Sequence, residues 1–95
     1  MNYILEEKKP VPVKDIVEWA RKFYCQNRHV AKTKNGDVTV STVFLGIDHS
    51  FDGGEPLLFE TMIFGGNQDG YLERYPTWED AEKGHDIACG IAGIK

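Results

Sequence analysis

The chain has little of what usually announces a chemistry. Its two cysteines, Cys25 and Cys89, lie far apart with no CxxC spacing, which removes zinc-finger and thioredoxin-type readings and leaves both as small buried hydrophobes. No apolar run approaches the roughly 20 residues that span a bilayer. The opening MNYILEEKKPVP lacks the basic-then-apolar order of a signal peptide, so no membrane contact and a cytoplasmic location are expected. Basic residues are also in the minority, 11 against 15 acidic ones, for a formal charge of −4. They gather nowhere beyond Arg21, Lys22, Arg28, Lys32 and Lys34, and a sequence-independent grip on phosphates needs a concentrated positive field. No direct nucleic-acid contact is therefore expected. The acids are dispersed as well, which weakens any reading as a nucleic-acid mimic. There is no internal repeat, and no glycine cluster sits in a GxGxxG or GxxxxGK context.

What is present is the material of one small folded unit. Ninety-five residues with 41% hydrophobic, 12% aromatic and 27% charged side chains are expected to form a single domain over 1–95. A chain of this length buries roughly 60–70% of its unfolded surface, enough for one core.

The stretch 38–66 holds most of the β-forming residues. Val38, Val40, Thr42 and Phe44 alternate with Thr39, Ser41, Val43, Leu45 and Ile47, a period of two that predicts a strand over about 37–47, apolar on both faces. A second strand of the same kind is expected over 57–64. Asn35-Gly36 is the strongest two-residue hairpin signal in the chain and predicts a preceding strand over about 28–34. Tyr71 to Tyr75 gives a short last strand, which Pro76 stops.

Before the strands, Val13, Ile16, Val17, Ala20, Phe23 and Tyr24 recur at helical spacing and predict an amphipathic helix with those residues inward. After them, Thr77 caps a second helix that sets Trp78, Ala81, His85, Ala88, Cys89 and Ala92 on one face. Gly84, Gly90 and Gly93 weaken it. Residues 1–12, with Pro10 and Pro12, read as an extended lead-in or edge strand. The expected fold is thus α+β, a four-stranded antiparallel meander with one helix before and one after it (α-β-β-β-β-α). Because the middle strands look apolar on both faces, a homodimer is expected to cover the second one.

Three features are candidates for function. Asp48, His49 and Asp52 put two carboxylates and an imidazole at a strand end, where they suit a divalent metal or acid–base work. A solvated loop with Asp52 supporting the Gly53-Gly54 turn is the alternative. Glu60, in the centre of an apolar strand, needs a partner, and Arg74 on the next strand is the natural one. His85 shares the apolar face of the last helix and reads as a satisfied core histidine, or as a residue converging with His49 on a ligand. Antiparallel geometry puts Tyr75 and Trp78 at the same end as the His49 loop, and the Gly65-Gly66 turn at the other. The binding residues expected from this reasoning are His49, Asp52, Gly53, Gly54, Tyr75, Trp78, Glu60, Arg74 and His85, with no catalytic set, metal or cofactor assigned.

The strings VSTVFLGIDH, GGEPLLFETMIFGG and RYPTWEDAEKGH, with PVPVKDIVEWARKF ahead of them, resemble a widespread group of small bacteriophage and prophage proteins. The likeness runs from about Tyr3 to about His85. It implies an accessory protein acting in the bacterial host cytoplasm, and it transfers no activity and no catalytic residue. The function expected on that footing is non-enzymatic binding that counters host defence, by blocking a defence protein or by sequestering a nucleotide signal. Two alternatives stand beside it. One is a small metal-dependent hydrolase using Asp48, His49, Asp52 and His85 with Glu60 as base; the other is a structural phage subunit.

Overall fold

Sorting of side chains along the central strands sets the architecture. The computed structural model describes residues 2–48, 50 and 53–94. It contains β1 (Asn2–Glu6), β2 (Lys9–Val13), α1 (Ile16–Cys25), β3 (His29–Asn35), β4 (Val38–Phe44), β5 (Phe59–Phe64), β6 (Leu72–Tyr75) and α2 (Trp78–Ile91). The last four strands form an antiparallel sheet in the order β3-β4-β5-β6, the expected meander. Val40, Thr42 and Phe44 of β4 and Phe59, Thr61 and Ile63 of β5 are fully buried on one face. Their alternates on β4, Thr39, Ser41 and Val43, are only half-buried. Within one chain, then, β4 is covered on one face only, and the other, open face is the one for which a second copy was the expected cover.

The cover is α2, which packs on all four strands of the sheet. It does so through small residues, with Ala81, Gly84 and Ala88 buried against the sheet alongside His85. Trp78, Cys89 and Ala92 flank them half-buried, so the inward face of this helix is the expected one. Thr77 accepts from the Asp80 amide at 3.1 Å and closes its N-terminus.

The N-terminal segment departs from expectation. Residues 1–12 were expected as an extended lead-in or a single edge strand, whereas two strands, β1 and β2, pair as an antiparallel hairpin with Tyr3 opposite Pro12 and Leu5 opposite Pro10. The order is therefore β-β-α-β-β-β-β-α, with a hairpin ahead of the first helix. Prolines are harmless here because Tyr3 and Leu5 direct their backbone groups away from β2. The Tyr3 amide donates to Gly46 at 2.7 Å, and the Tyr3 carbonyl accepts from the Trp19 indole at 2.7 Å. The Gln26 side chain accepts from the Leu5 amide at 2.9 Å and donates to its carbonyl at 3.1 Å. A strand that alternates its bonding sides needs no donor from the prolines opposite. The turn uses Glu7 and Lys8, both at positive φ (51° and 73°), the pattern of a tight hairpin turn without the usual Asn or Gly.

Helix α1 packs on this hairpin and presents a different face from the expected one. Trp19 and Phe23 are buried, while Ile16, Val17 and Tyr24 are 60%, 72% and 75% exposed. Trp19 stacks on Phe23 at 4.9 Å and Phe23 leans on Phe44 at 6.2 Å, so the aromatic pair sets the roll of the helix. Gly46, at φ 77°, lies so close to the Phe23 ring that a Cβ would overlap it. Cys25 is exposed, against the expectation that it is buried. The hairpin between β3 and β4 is also shifted by one residue: Asn35 pairs with Val38, leaving Gly36 (φ 61°) and Asp37 as the turn. A glycine in the first central position is the II′ arrangement.

Gly84 provides the sharpest test of this packing. In an exposed helix, replacing glycine by alanine adds about 1 kcal/mol of stability. A Cβ at Gly84 would instead overlap the Tyr75 ring. Gly84→Ala is expected to destabilise by about 1–3 kcal/mol, lowering the urea midpoint; a raised midpoint would show that α2 does not sit this close to the sheet.

Candidate functional site

The loop singled out from sequence leaves β4 beside the start of β5. His49 and Asp52 lie outside the described residues. Asp48 is described, and its carboxylate is committed to the backbone: it accepts from the Ser50 amide at 2.8 Å, the Ser50 hydroxyl at 2.9 Å and the Leu57 amide at 2.9 Å. The Ser50 and Leu57 amides hold the Asp48 carboxyl below its usual range. Asp48 thus ties the two ends of the loop together. Gly53 and Gly54 are exposed beyond it, Gly53 at positive φ.

Tyr75 and Trp78 lie at the expected end of the sheet, since Tyr75 pairs with Phe59 and its carbonyl accepts from the Leu58 amide at 3.0 Å. Both rings join the hydrophobic core. Trp78 meets Phe59 edge-on at 6.2 Å and carries Lys8 over its face at 5.5 Å, while Tyr75 fills the space left by Gly84. Burial raises the Tyr75 phenol above its ordinary pKa.

Glu60 and Arg74 form the cross-strand pair expected of them, directly opposite in register and joined by Arg74 Nε to Glu60 Oε2 at 3.0 Å. The two charges neutralise each other on the open face. His85 is a core residue, 3% exposed, with Thr42 Oγ1 at 2.7 Å from Nδ1 and Thr33 Oγ1 at 2.9 Å from Nε2. Thr42 in turn meets Thr61 at 2.6 Å. A neutral imidazole offers one donor and one acceptor, and hydroxyls serve either role, so both nitrogens are satisfied. Neither a metal nor a substrate has a free nitrogen to use there. Among the described residues, no three histidines, cysteines or acids lie close enough to hold a metal ion.

What sequence reasoning did not find is which residues make up the second face of the sheet. Residues opposite in register share a face, which places Lys34, Thr39 and Phe64 in one row and Lys32, Ser41, Met62 and Leu72 in the next. His29, Val43, Glu60 and Arg74 form the third. Phe64 and Leu72 are 47% and 41% exposed. Around this apolar centre, Lys32 and Lys34 are exposed and unopposed by acid within the face, apart from the Glu60 already held by Arg74. The opposite side of the molecule is acidic, with Glu79, Asp80, Glu82 and Asp86 of α2 exposed against Lys83. The signal lay in the alternation of 29–34 with 39–43, hidden because β4 reads as apolar throughout. At one end, beside Val43, a concavity of about 250 Å³ is lined by Tyr24, Gln26, Asn27, Arg28 and His29. Arg28 is drawn over the Phe23 ring at 4.5 Å.

No family model matches this chain, and neither a curated protein nor a solved structure matches it.

The buried histidine makes stability depend on pH. Burial lowers the His85 pKa from its ordinary 6.5, with Asp86 opposing only in part. The folded state then binds the proton less readily than the unfolded state, so its contribution is complete above pH 6.5 and declines as pH falls below it. The wild-type urea midpoint is expected to fall between pH 7.5 and 5.5, by at most about 1.4 kcal/mol per pH unit from this group. His85→Gln should flatten that fall. An equal fall in both proteins would show that His85 charges without penalty.

Proposed function

We propose that this protein is a phage-encoded, non-enzymatic binding protein that counters a host defence system by occupying a defence protein, with the open sheet face as its contact surface. The observation that carries this reading is the one-sided cover of the sheet. Val43, Met62, Phe64 and Leu72 form an apolar centre that nothing in the described chain covers, ringed by Lys32 and Lys34. From strand spacing the face measures roughly 14 Å by 20 Å, on the order of 300 Å² in projection. Only its centre is apolar, around the exposed Phe64 and Leu72, and an exposed apolar cluster with a polar rim is the kind of surface that contacts another macromolecule. The phage setting comes from the sequence resemblance.

Blocking fits this surface better than nucleotide sequestration does. Among the described residues, concavities of about 240, 250 and 240 Å³ are smaller than the roughly 300–1,000 Å³ of small-ligand pockets. Trp78, the base-stacking candidate, has Phe59 at its edge and Lys8 over its face. The hydrolase reading draws less support, because both ring nitrogens of His85 are bonded within the fold and Asp48 accepts from the Ser50 and Leu57 amides.

Expression in bacteria carrying a panel of defence systems, scored by plating efficiency of a sensitive phage, tests this. Wild-type protein is expected to raise plating at least about tenfold against one system, and Phe64→Asp/Leu72→Asp to remove that gain with the melting temperature held within a few degrees. Undiminished rescue by the double variant would exclude the sheet face. Release of a stoichiometric nucleotide on heating the purified protein would replace blocking by sequestration.

A further inference from the structure

On the open face, β4 contributes only Thr39, Ser41 and Val43, which are short side chains. The strands on either side contribute long ones: His29, Lys32 and Lys34 from β3, and Glu60, Met62 and Phe64 from β5. The face is therefore a trough running along β4 between two ridges of different chemistry. One ridge is basic, and the other is apolar apart from Glu60, which is neutralised by Arg74. Two inter-strand spacings put the ridges roughly 10 Å apart, and the seven residues of β4 give a length of roughly 23 Å.

We infer that this trough docks an acidic amphipathic helix of the partner protein, lying along β4 with carboxylates toward Lys32 and Lys34 and an apolar stripe toward Met62, Phe64 and Leu72. The inference rests on the open face being the working surface. A helix is roughly 10 Å across with its side chains, and roughly 15 residues of it cover 23 Å. The same sheet already holds a helix of 14 residues, α2, on its other face, so its length suits a helix of that size. The concavity beside Val43, walled by Tyr24 and His29, lies at the end of the trough and suits one large anchoring side chain.

Charge selects the sign of the partner. Among the described residues, the two lysines on the ridge face no carboxylate within the trough other than Glu60, which Arg74 holds, so an acidic flank gains both steering and register from them. A second copy fits less well. Two open faces set together about a two-fold across the strands lay the lysines over each other, and about one along the strands they lay them over the apolar side of the sheet; the outer side of α2 exposes isoleucine only near its end, at Ile87 and Ile91. That is too short a stripe to fill the trough.

The probe is a 16-residue helical peptide with leucines at helical spacing and glutamates along one flank, titrated into isotopically labelled protein and followed by amide and methyl shifts. Binding is expected to move Lys32, Lys34, Ser41, Val43 and Met62. Lys32→Glu/Lys34→Glu should weaken it at least about tenfold and strengthen the lysine-flanked version of the peptide. Equal binding of the lysine-flanked peptide or of a proline-broken one would overturn the inference, as would a twelve-nucleotide oligothymidine occupying the same residues more tightly. So would sedimentation showing a wild-type dimer that the double charge reversal dissolves, since that assigns the face to a second copy. If the peptide fails to bind while Phe64→Asp/Leu72→Asp still abolishes phage rescue, the helix is wrong and the contact face stands. If the peptide binds the trough but rescue survives that double variant, the trough chemistry stands and the proposed function falls.

Discussion

The close seating of α2 on the sheet is the contact on which the other features depend. Small residues at Ala81, Gly84 and Ala88 let the helix backbone approach Phe59, Ile63 and Val40, all fully buried. At that distance water is excluded and an unpaired polar group costs about 1–3 kcal/mol, so bonds from the sheet to a large polar ring on the same face stabilise the contact. Thr33 and Thr42 supply those bonds to His85 from two strands, and Thr61 on a third meets the Thr42 hydroxyl. The hydroxyl–imidazole chain therefore fixes which strand residues lie under the helix, a registry that apolar packing alone leaves loose.

Covering one face so completely leaves nothing in the described chain for the other. Helix α1 lies on the β1–β2 hairpin and reaches the sheet through Phe23 against Phe44, so it closes the end of the covered side. The consequence is a sheet with two unlike faces: Val40, Thr42 and Phe44 in the core, and Thr39, Ser41 and Val43 half-exposed between longer neighbours. The structure holds an open surface because its other helix, α1, lies on the hairpin and not across the sheet.

Much of this was legible in the sequence where a residue's local and tertiary preferences agree. The four-strand meander followed from period-two runs and turn residues, and the Glu60–Arg74 pair followed from the cost of an unpaired central carboxylate. The buried face of α2 and the satisfied state of His85 were legible for the same reason. The N-terminal hairpin was not, because its turn is made by Glu7 and Lys8 in left-handed conformations that carry no sequence signal. The prolines pointed away from pairing only because the outward bonding of Tyr3 and Leu5 lies in the tertiary structure. The roll of α1 was misread for a related reason. Ile16, Val17 and Tyr24 compete at helical spacing with Trp19 and Phe23, and the larger aromatic pair takes the core, as burial in proportion to area dictates.

The exposed lysines explain why the open face is a surface for contact through side chains. β3 is an edge strand, and an unguarded edge pairs with any extended chain. Lys32 and Lys34 stand on that edge, where extra strands are discouraged by the charge each brings. The same two side chains rise on the open face beside Ser41 and Thr39. A residue pair that guards the edge thus also gives the face its sign, while Glu60, which would cancel part of it, is held by Arg74 at 3.0 Å. Association is directed away from backbone pairing and toward side-chain contact on the face, where the apolar centre and the positive ridge act on the same partner.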